Sequence, residues 1–474
     1  MNAVLKSDDA QLSSLFERLA ARAPALITTT AEQRADKLRR LVKAVIDARP
    51  AIIEAGRAEL RLNETDIDAQ LLMVKTEGEF IARNLKNWMG RHPVKGSLMS
   101  LGKKSYVQYE PKGVVLNLAT WNAPVAIGLV PLMGAIAAGN TMLLKPSELA
   151  PKSAQVLADI VASVFPDDEF AVVQGGPEVA GELLKLPFNH IFFIGGHAVG
   201  RLVMRAAAEY FASITLEMGG KNPTIIDASA DLPDAARKIA WGRVANCGQV
   251  CLAPDYALVE ASVQQPFVEA LGKAMHALYN ADGKGFQASP DLPRIVNTRH
   301  FDRIKALLDD AIERGAKPVC GGHVDVDDCF IAPTLLEGIP SDAKIMSEEI
   351  FGPLLPIISY RSLDEVVDRI NADPKPLALY VWSKTEANIK KVIENTSSGG
   401  ACINHAVVHF LHQRLPFGGV NNSGIGSAHG EFGFKSFSHE RAIVRTRFMM
   451  ARMFFPPYSD FSRKLVKIVM KTSI

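Results

Sequence analysis

The chain reads as an α/β protein built on parallel sheets with helices on both faces. Three observations predict this. From residue 113 onward, short apolar segments alternate with helical patterns of about ten to fifteen residues. The same alternation returns after residue 250, which predicts a second α/β unit. Residues 113–144 hold no charged side chain at all, as the buried centre of a large α/β core would require.

The elements follow in order. Over residues 10–90, leucine, isoleucine and alanine recur at three- and four-residue spacing among charges, which predicts helices. VQYEPKGVVLNLA (107–119) predicts strands turning at Pro111-Lys112-Gly113. The uncharged run 113–144 is long enough to cross a bilayer, but Asn117, Asn122, Pro124, Pro131 and Asn140 interrupt it. It reads as a buried strand, a loop and a buried helix. TMLLK then forms a strand, followed by a helix from about Ser153 to Phe165, strand FAVVQG, a helix around 177–185 and strand HIFFIGG. Helix AVGRLVMRAAAEY and strand ASITLEMGG complete the first set. In the second set DYALVE and LPIISY are strands, while 264–278 and FDRIKALLDDAIERG are helical. No internal repeat and no low-complexity linker is present.

Composition sets bounds on function. With 474 residues the chain is too long for one compact core, so two or three domains are expected. Fifty-three basic residues against fifty-one acidic ones, without a basic block, give no reason to expect a nucleic-acid partner. Five cysteines are an odd count and no disulfide framework. The opening MNAVLKSDDAQ lacks the apolar core of a signal peptide, so a reducing, cytoplasmic setting is expected.

Four stretches have residues suited to chemistry. In IFFIGGHAVG (191–200) a strand runs into Gly195-Gly196 and a helix begins near Ala198, so backbone N–H groups converge where a phosphate can sit. The spacing from Gly195 to Gly200 is not G-x-G-x-x-G, and a ligand-free glycine turn stays equally open. In LLKPSE (143–148), Lys145 and Glu148 close an apolar strand; they suit the hydroxyls of a sugar, or an ion pair. In ANCGQVCLAPDY (245–256), Cys247 and Cys251 are too few for a zinc site and are spaced unlike a redox C-x-x-C pair. His405, His409 and His412 do not make a convincing metal centre, and no metal is expected. One reactive thiol at Cys251, bracketed by Gly248, Gln249 and Pro254, stands against an inert buried cysteine. In ITLEMGGKNP (214–223), Glu217 ends a strand before Gly219-Gly220. It suits a general base of raised pKa, or a helix cap or a salt bridge to Lys221.

Together these stretches resemble the aldehyde dehydrogenase family, and within it most closely the class 3 and coniferyl-aldehyde-dehydrogenase-like branch. The matching motifs are WNAP (121–124), LLKPSE, FFIGGHAVG (192–200), LEMGGKNP (216–223), NCGQVCLAPDY (246–256), EEIFGPLLPI (348–357), LPFGGVNNSGIGSAHGEFGFKSFSH (415–439) and MFFPPYS (453–459). They stand in family order over about residues 105–460. The resemblance implies that Cys251 is the nucleophile and Cys247 a bystander, that Asn122 donates to an oxyanion, and that Glu217 activates water. For the cofactor it implies Lys145 and Glu148 at the adenosine ribose and Gly196 near the pyrophosphate, on the Gly195–Gly200 turn. It implies Glu349 at the nicotinamide ribose, with Phe351 and Trp121 also at the cofactor. Ile194 and Gly196 stand where the family commonly has a threonine and a serine or asparagine, and Ala123 replaces a frequent aromatic.

The implied fold has a Rossmann-like NAD-binding domain (1–92 and 110–216), an α/β catalytic domain (217–418), a small β bridging and oligomerisation element (93–109 and 419–445) and a tail (446–474). The implied activity is oxidation of a medium or long aliphatic, or aromatic cinnamaldehyde-like, aldehyde through a cysteine thiohemiacetal and thioester. NAD is the expected cofactor, with NADP second, and a homodimer is the expected assembly. Alternatives are a CoA-acylating dehydrogenase, a thiol acyl-transferase or hydrolase, and a non-catalytic binding protein of the same fold. In the tail, Phe461, Leu465, Ile468 and Val469 share a helical stripe beside Arg463, Lys464, Lys467 and Lys471. Docking on the protein's own core is the favoured expectation, with peripheral contact to a membrane second.

Overall fold

The computed structural model describes residues 9–96, 103–446 and 455–472. Two large sheets organise it. The first runs in the order Phe170–Val172, Thr141–Lys145, Val114–Leu118, His190–Gly195, Ser213–Met218, Gly424–Ile425. All neighbouring strands are parallel except the last pair, where Gly424 lies opposite Glu217.

A parallel sheet is buried on both faces, so its strands must be apolar throughout, and successive side chains must serve two different cores. Val115, Phe192 and Ile194 pack into one cluster with Leu38, Val74, Leu129 and Met133 from helices Ala31–Asp47, Glu64–Trp88 and Pro124–Ala138. Their neighbours Val114, Leu116, Ile191 and Phe193 pack into another, with Leu15, Val179 and Val203 from helices Asp9–Ile27, Pro177–Leu183 and His197–Glu209. The uncharged run thus resolves into strand, helix Pro124–Ala138 and strand. No helix among the described residues is long and apolar enough to cross a membrane. Helix starts follow local chemistry: Thr30 and Gln33 form a reciprocal capping box at 2.8 and 3.2 Å.

The second sheet runs Lys317–Cys320, Thr334–Glu337, Leu354–Tyr360, Tyr256–Glu260, Pro223–Ile226, Ala378–Trp382, Gly400–Ile403. Its core includes Ile225, Tyr256, Leu355, Tyr380 and Trp382. A third, antiparallel sheet joins His92–Pro93, Lys103–Pro111 and Ser438–Thr446, with Ser438 opposite Pro111 and Thr446 opposite Lys103.

In the first sheet, chain order reverses between Val114–Leu118 and His190–Gly195. The crevice at the carboxyl ends of two such strands is where ligands collect in open α/β sheets. Trp121 and Asn122 follow the first of these strands, and Gly195 and Gly196 close the second. Glu217 lies next to Ile194 on the adjoining strand.

The tail departs from the favoured expectation. Helix Asp460–Thr472 forms, but Phe461 is 65% and Met470 73% exposed, and Val466 and Ile468 are exposed as well. Ser462 is buried and Leu465 half-buried, so little of the apolar stripe reaches the body. The side chains of Val469 and Lys471 lie outside the described residues.

Candidate active site

The segment that carries the thiol is built on an unusual backbone. Asn246, Cys247 and Gly248 in succession take left-handed conformations, with φ of 49°, 54° and 73°. For the two non-glycine residues this costs on the order of 1–3 kcal/mol each, so neighbouring bonds must hold it. Asn246 donates from its side-chain amide to Asn122 O at 2.8 Å. Gln249 donates to Asn246 O and to Arg294 O, both at 3.0 Å, and accepts from the Val296 N–H. Beyond the thiol, Asn222 donates to Cys251 O at 2.7 Å and Ala253 O at 3.1 Å.

The turn buries Cys247 completely, with no exposed surface. Burial pushes its thiol up to about 12, which disfavours the thiolate. Cys251 faces a cavity of about 290 Å³ instead. That cavity brings together eight of the residues singled out in the sequence: Trp121, Asn122, Gly195, Gly196, Glu217, Cys251, Glu349 and Phe351.

Glu217 is 9% exposed, and its Oε1 accepts from the Cys251 thiol at 3.5 Å. Burial lifts its carboxyl to about 7, only partly offset by that bond. Burial, with Glu217 and Glu349 close by, holds the Cys251 thiol well above its ordinary range. Its proton can therefore leave only when another group takes it. Asn122 donates one amide hydrogen to Gln249 O at 2.9 Å, while its Oδ1 is buried without a partner. The salt bridge considered between Glu217 and Lys221 does not form. Lys221 pairs with Asp255.

In the same cavity, burial lifts the Glu349 carboxyl to about 7, with Asp255 adding to it. A Cβ at Gly219 would collide with that carboxylate and push it out of its present place. Trp121 and Phe351 meet edge to face at 5.7 Å. At Gly196, which begins helix His197–Glu209 without a side-chain cap, a Cβ would meet nothing within 4 Å. A helix start with open backbone N–H groups, a buried carboxylate and an aromatic pair around one cleft fit the phosphates, ribose and ring of a dinucleotide.

Lys145, Glu148 and Gly200 lie outside the cavity lining. Lys145 is 5% exposed, donates to Pro146 O at 3.1 Å and stands 3.6 Å from Glu148. Gly200 is buried one turn into the helix, where a Cβ would strike Met218 Sδ; its place is in close helix–strand packing. The three histidines do not converge: His405 bonds to the Ala406 backbone, His409 Nδ1 lies 3.1 Å from Cys402 Sγ, and His412 accepts from the Arg414 N–H. Among the described residues no group of three or more His, Cys, Asp or Glu side chains is arranged to hold a metal ion.

The structure adds cavity residues that have no role assigned from the sequence: Thr120, Ile127, His300 and Arg303. His300 and Arg303 share one face at the start of helix Thr298–Glu313, which Asn297 caps at 3.0 Å. Their helical spacing was legible, but nothing local links them to a thiol about fifty positions away.

Comparison with known proteins gives the chain a family. The family model "Aldehyde dehydrogenase family" matches residues 2–443. Aldehyde dehydrogenase family 3 member A2 of Mus musculus is 43% identical, over 87% of this chain and 83% of the relative. The 4,4'-diaponeurosporen-aldehyde dehydrogenase of Staphylococcus aureus (strain NCTC 8325 / PS 47) is 41% identical, over 90% of this chain and 92% of the relative. Among solved structures, the substrate-bound state of Staphylococcus aureus AldH superimposes with a TM-score of 0.90 at 39% identity, covering 97% of this chain and 99% of that one. The chain therefore belongs to the aldehyde dehydrogenase family, and is an oxidoreductase of aldehydes.

Proposed function

We propose that this enzyme oxidises medium or long aliphatic, or aromatic, aldehydes to carboxylic acids with NAD, through a covalent intermediate on Cys251. The observation that carries the reading is the convergence of the Cys251 thiol, the Glu217 carboxylate at 3.5 Å and Asn122 on one cavity.

Cys251 adds to the aldehyde carbon while its proton passes to Glu217, whose carboxyl near 7 is suited to taking it. The alkoxide of the thiohemiacetal is met by the Asn122 amide and the Cys251 N–H. When bound, the nicotinamide supplies the acceptor for the hydride lost from that carbon. Cys251 then carries a thioester. Glu217 releases the thiol's proton to solvent and then draws a proton from water, which attacks the thioester carbon; the acid and the Cys251 thiolate separate, and the proton on Glu217 returns to the thiolate. A buried carboxylate beside the thiol favours this hydrolysis over transfer to CoA, and favours turnover over mere binding.

Trp121, Glu349 and Phe351 would hold the nicotinamide ribose and ring, Gly195 and Gly196 the pyrophosphate, and Lys145 and Glu148 the adenosine ribose. In this reading the first sheet and its helices form the NAD-binding domain, the second sheet forms the catalytic domain, and the antiparallel sheet bridges two subunits of a dimer. The exposed strand 438–446 supports the last point, since an open sheet edge is a natural pairing surface. Ala123, where an aromatic is frequent in the family, leaves room beside Asn122 for a bulky aldehyde.

The test is absorbance at 340 nm with NAD or NADP and a panel of aliphatic and aromatic aldehydes. Turnover with NAD on hexanal-, decanal- or cinnamaldehyde-type substrates is expected. Activity confined to short polar aldehydes, or appearing only when CoA is added, would contradict the reading.

A further inference from the structure

The segment that presents Glu349 and Phe351 to the cavity has neither helix nor strand from Glu348 to Pro353, and Phe351 itself is left-handed, with φ of 46°. Side chains hold its backbone instead. Lys221 donates to Ile345 O at 2.8 Å and Glu348 O at 3.0 Å. Arg303 donates to Glu349 O at 3.1 Å and Ile350 O at 2.6 Å, and Arg243 donates to Gly352 O. The Ile350 N–H donates to Asp255 Oδ1 at 3.0 Å.

Two of these side chains also hold the thiol segment. Arg243, fully buried, donates to Gly248 O at 3.0 Å and Pro254 O at 2.7 Å, three positions before and three after Cys251. Asp255 stands 3.5 Å from Arg243 and pairs with Lys221, which follows Glu217 by four residues. The two segments touch directly as well, because a Cβ at Gly248 would run into Gly352 O. Neither Arg243 nor Asp255 lines the cavity.

A buried arginine and aspartate are a poor way to gain stability, since desolvation offsets much of their attraction. What a guanidinium supplies that an apolar side chain cannot is a rigid fork that fixes several carbonyl groups at set distances. Here the fork spans two segments about a hundred residues apart in sequence.

We infer that Arg243 and Asp255 are positioning residues that fix the Glu349–Phe351 wall relative to the Cys251 thiol. They then govern where the cofactor binds more than they govern the thiol's own chemistry. The inference rests on the roles proposed above for Cys251 and Glu349.

Full-length Asp255→Asn and Arg243→Lys are compared with the wild type in two reactions. One is aldehyde oxidation with NAD. The other is hydrolysis of 4-nitrophenyl acetate without any nicotinamide, which calls on the thiol, Glu217 and Asn122 but not on the Glu349 wall. The KM for NAD should rise, and the ratio of oxidation to ester hydrolysis should fall, by about tenfold or more in both variants, with unchanged circular dichroism. Arg243→Met, which has no donors, should be worse than Arg243→Lys on the same ratio. Equal losses in both reactions with an unchanged KM for NAD would overturn the inference. So would failure of Asp255→Asn and Arg243→Lys to fold, because the pair would then belong to the general core. A wild-type protein that hydrolyses the ester but oxidises no aldehyde would overturn the assignment of Glu349, and the positioning role with it.

Discussion

The Cys251 thiol donates to the Glu217 carboxylate across 3.5 Å, at the point where the two sheets face one cavity. Both groups sit above their ordinary pKa, each chiefly because it is buried. A protonated thiol beside a carboxyl that titrates near neutrality is a pair in which one proton decides reactivity.

The neighbouring cysteines should behave oppositely. Cys251→Ala should abolish aldehyde oxidation, whereas Cys247→Ala should keep most of it. Iodoacetamide should label Cys251 first, because Cys247 is fully enclosed. A dead Cys247→Ala with an active Cys251→Ala would reverse the assignment.

Glu217 sets a pH dependence. Its carboxyl, lifted to about 7, is largely protonated at pH 6 and ionised at pH 8, and only the ionised form accepts a proton. The kcat should therefore rise by about tenfold as pH increases through 7. Glu217→Gln should lose most of its rate and also this rise. A flat wild-type profile between pH 6 and 8 would contradict the role.

Much of this was legible in the sequence, for physical reasons. Strands such as Val114–Leu118 and His190–Gly195 must be apolar on both faces, so they stand out from polar surroundings. The thiol segment is compact, and its glycine, glutamine and cysteines are close together in the chain. Less legible was whatever depends on distant segments. Arg243 reads as an ordinary helix residue until Gly352 is brought against it. Strand Ser438–Thr446 is mostly exposed and shows no core-facing periodicity, so its pairing with residues 103–111 could not be read locally. The tail's apolar stripe was legible, but its exposure was not, since a stripe does not state what covers it.

Another buried carboxylate, outside the cavity lining, bears on stability. Glu77 is 1% exposed and accepts from the Gly430 N–H at 2.6 Å; its other oxygen has no hydrogen bond and stands 4.0 Å from His429 Nδ1. Burial lifts it to about 7 from an ordinary 4.5. The folded state thus holds this proton more tightly than the unfolded chain. The associated stability is fully present below about pH 4.5 and is lost as pH rises through 7. Glu77→Gln keeps an acceptor for Gly430 but cannot ionise. Relative to the wild type it should gain on the order of 2 kcal/mol between pH 5 and pH 8.5 in denaturant melts. An offset independent of pH would show that Glu77 stays ionised in the fold.

Cofactor choice should depend on Glu148. Its carboxylate stands beside the buried Lys145, and no arginine lies within the KPSE motif to meet a 2′-phosphate. A carboxylate close to that phosphate repels it. Glu148→Gln should shift the ratio of kcat/KM for NADP over NAD upward by about tenfold, equivalent to about 1.4 kcal/mol. An unchanged ratio, or a wild type that prefers NADP, would remove Glu148 from discrimination.

If Cys251 carries a covalent acyl intermediate that Glu217 clears, peptide mapping of Glu217→Gln should find it. The variant is mixed with NAD and one aldehyde, quenched in acid, digested and analysed by mass spectrometry. NADH should form more slowly than in the wild type, because solvent must then take the thiol's proton, and should stop at one equivalent, with the acyl mass on the peptide containing Cys251. An adduct on Cys247, or steady turnover with no adduct at all, would contradict it.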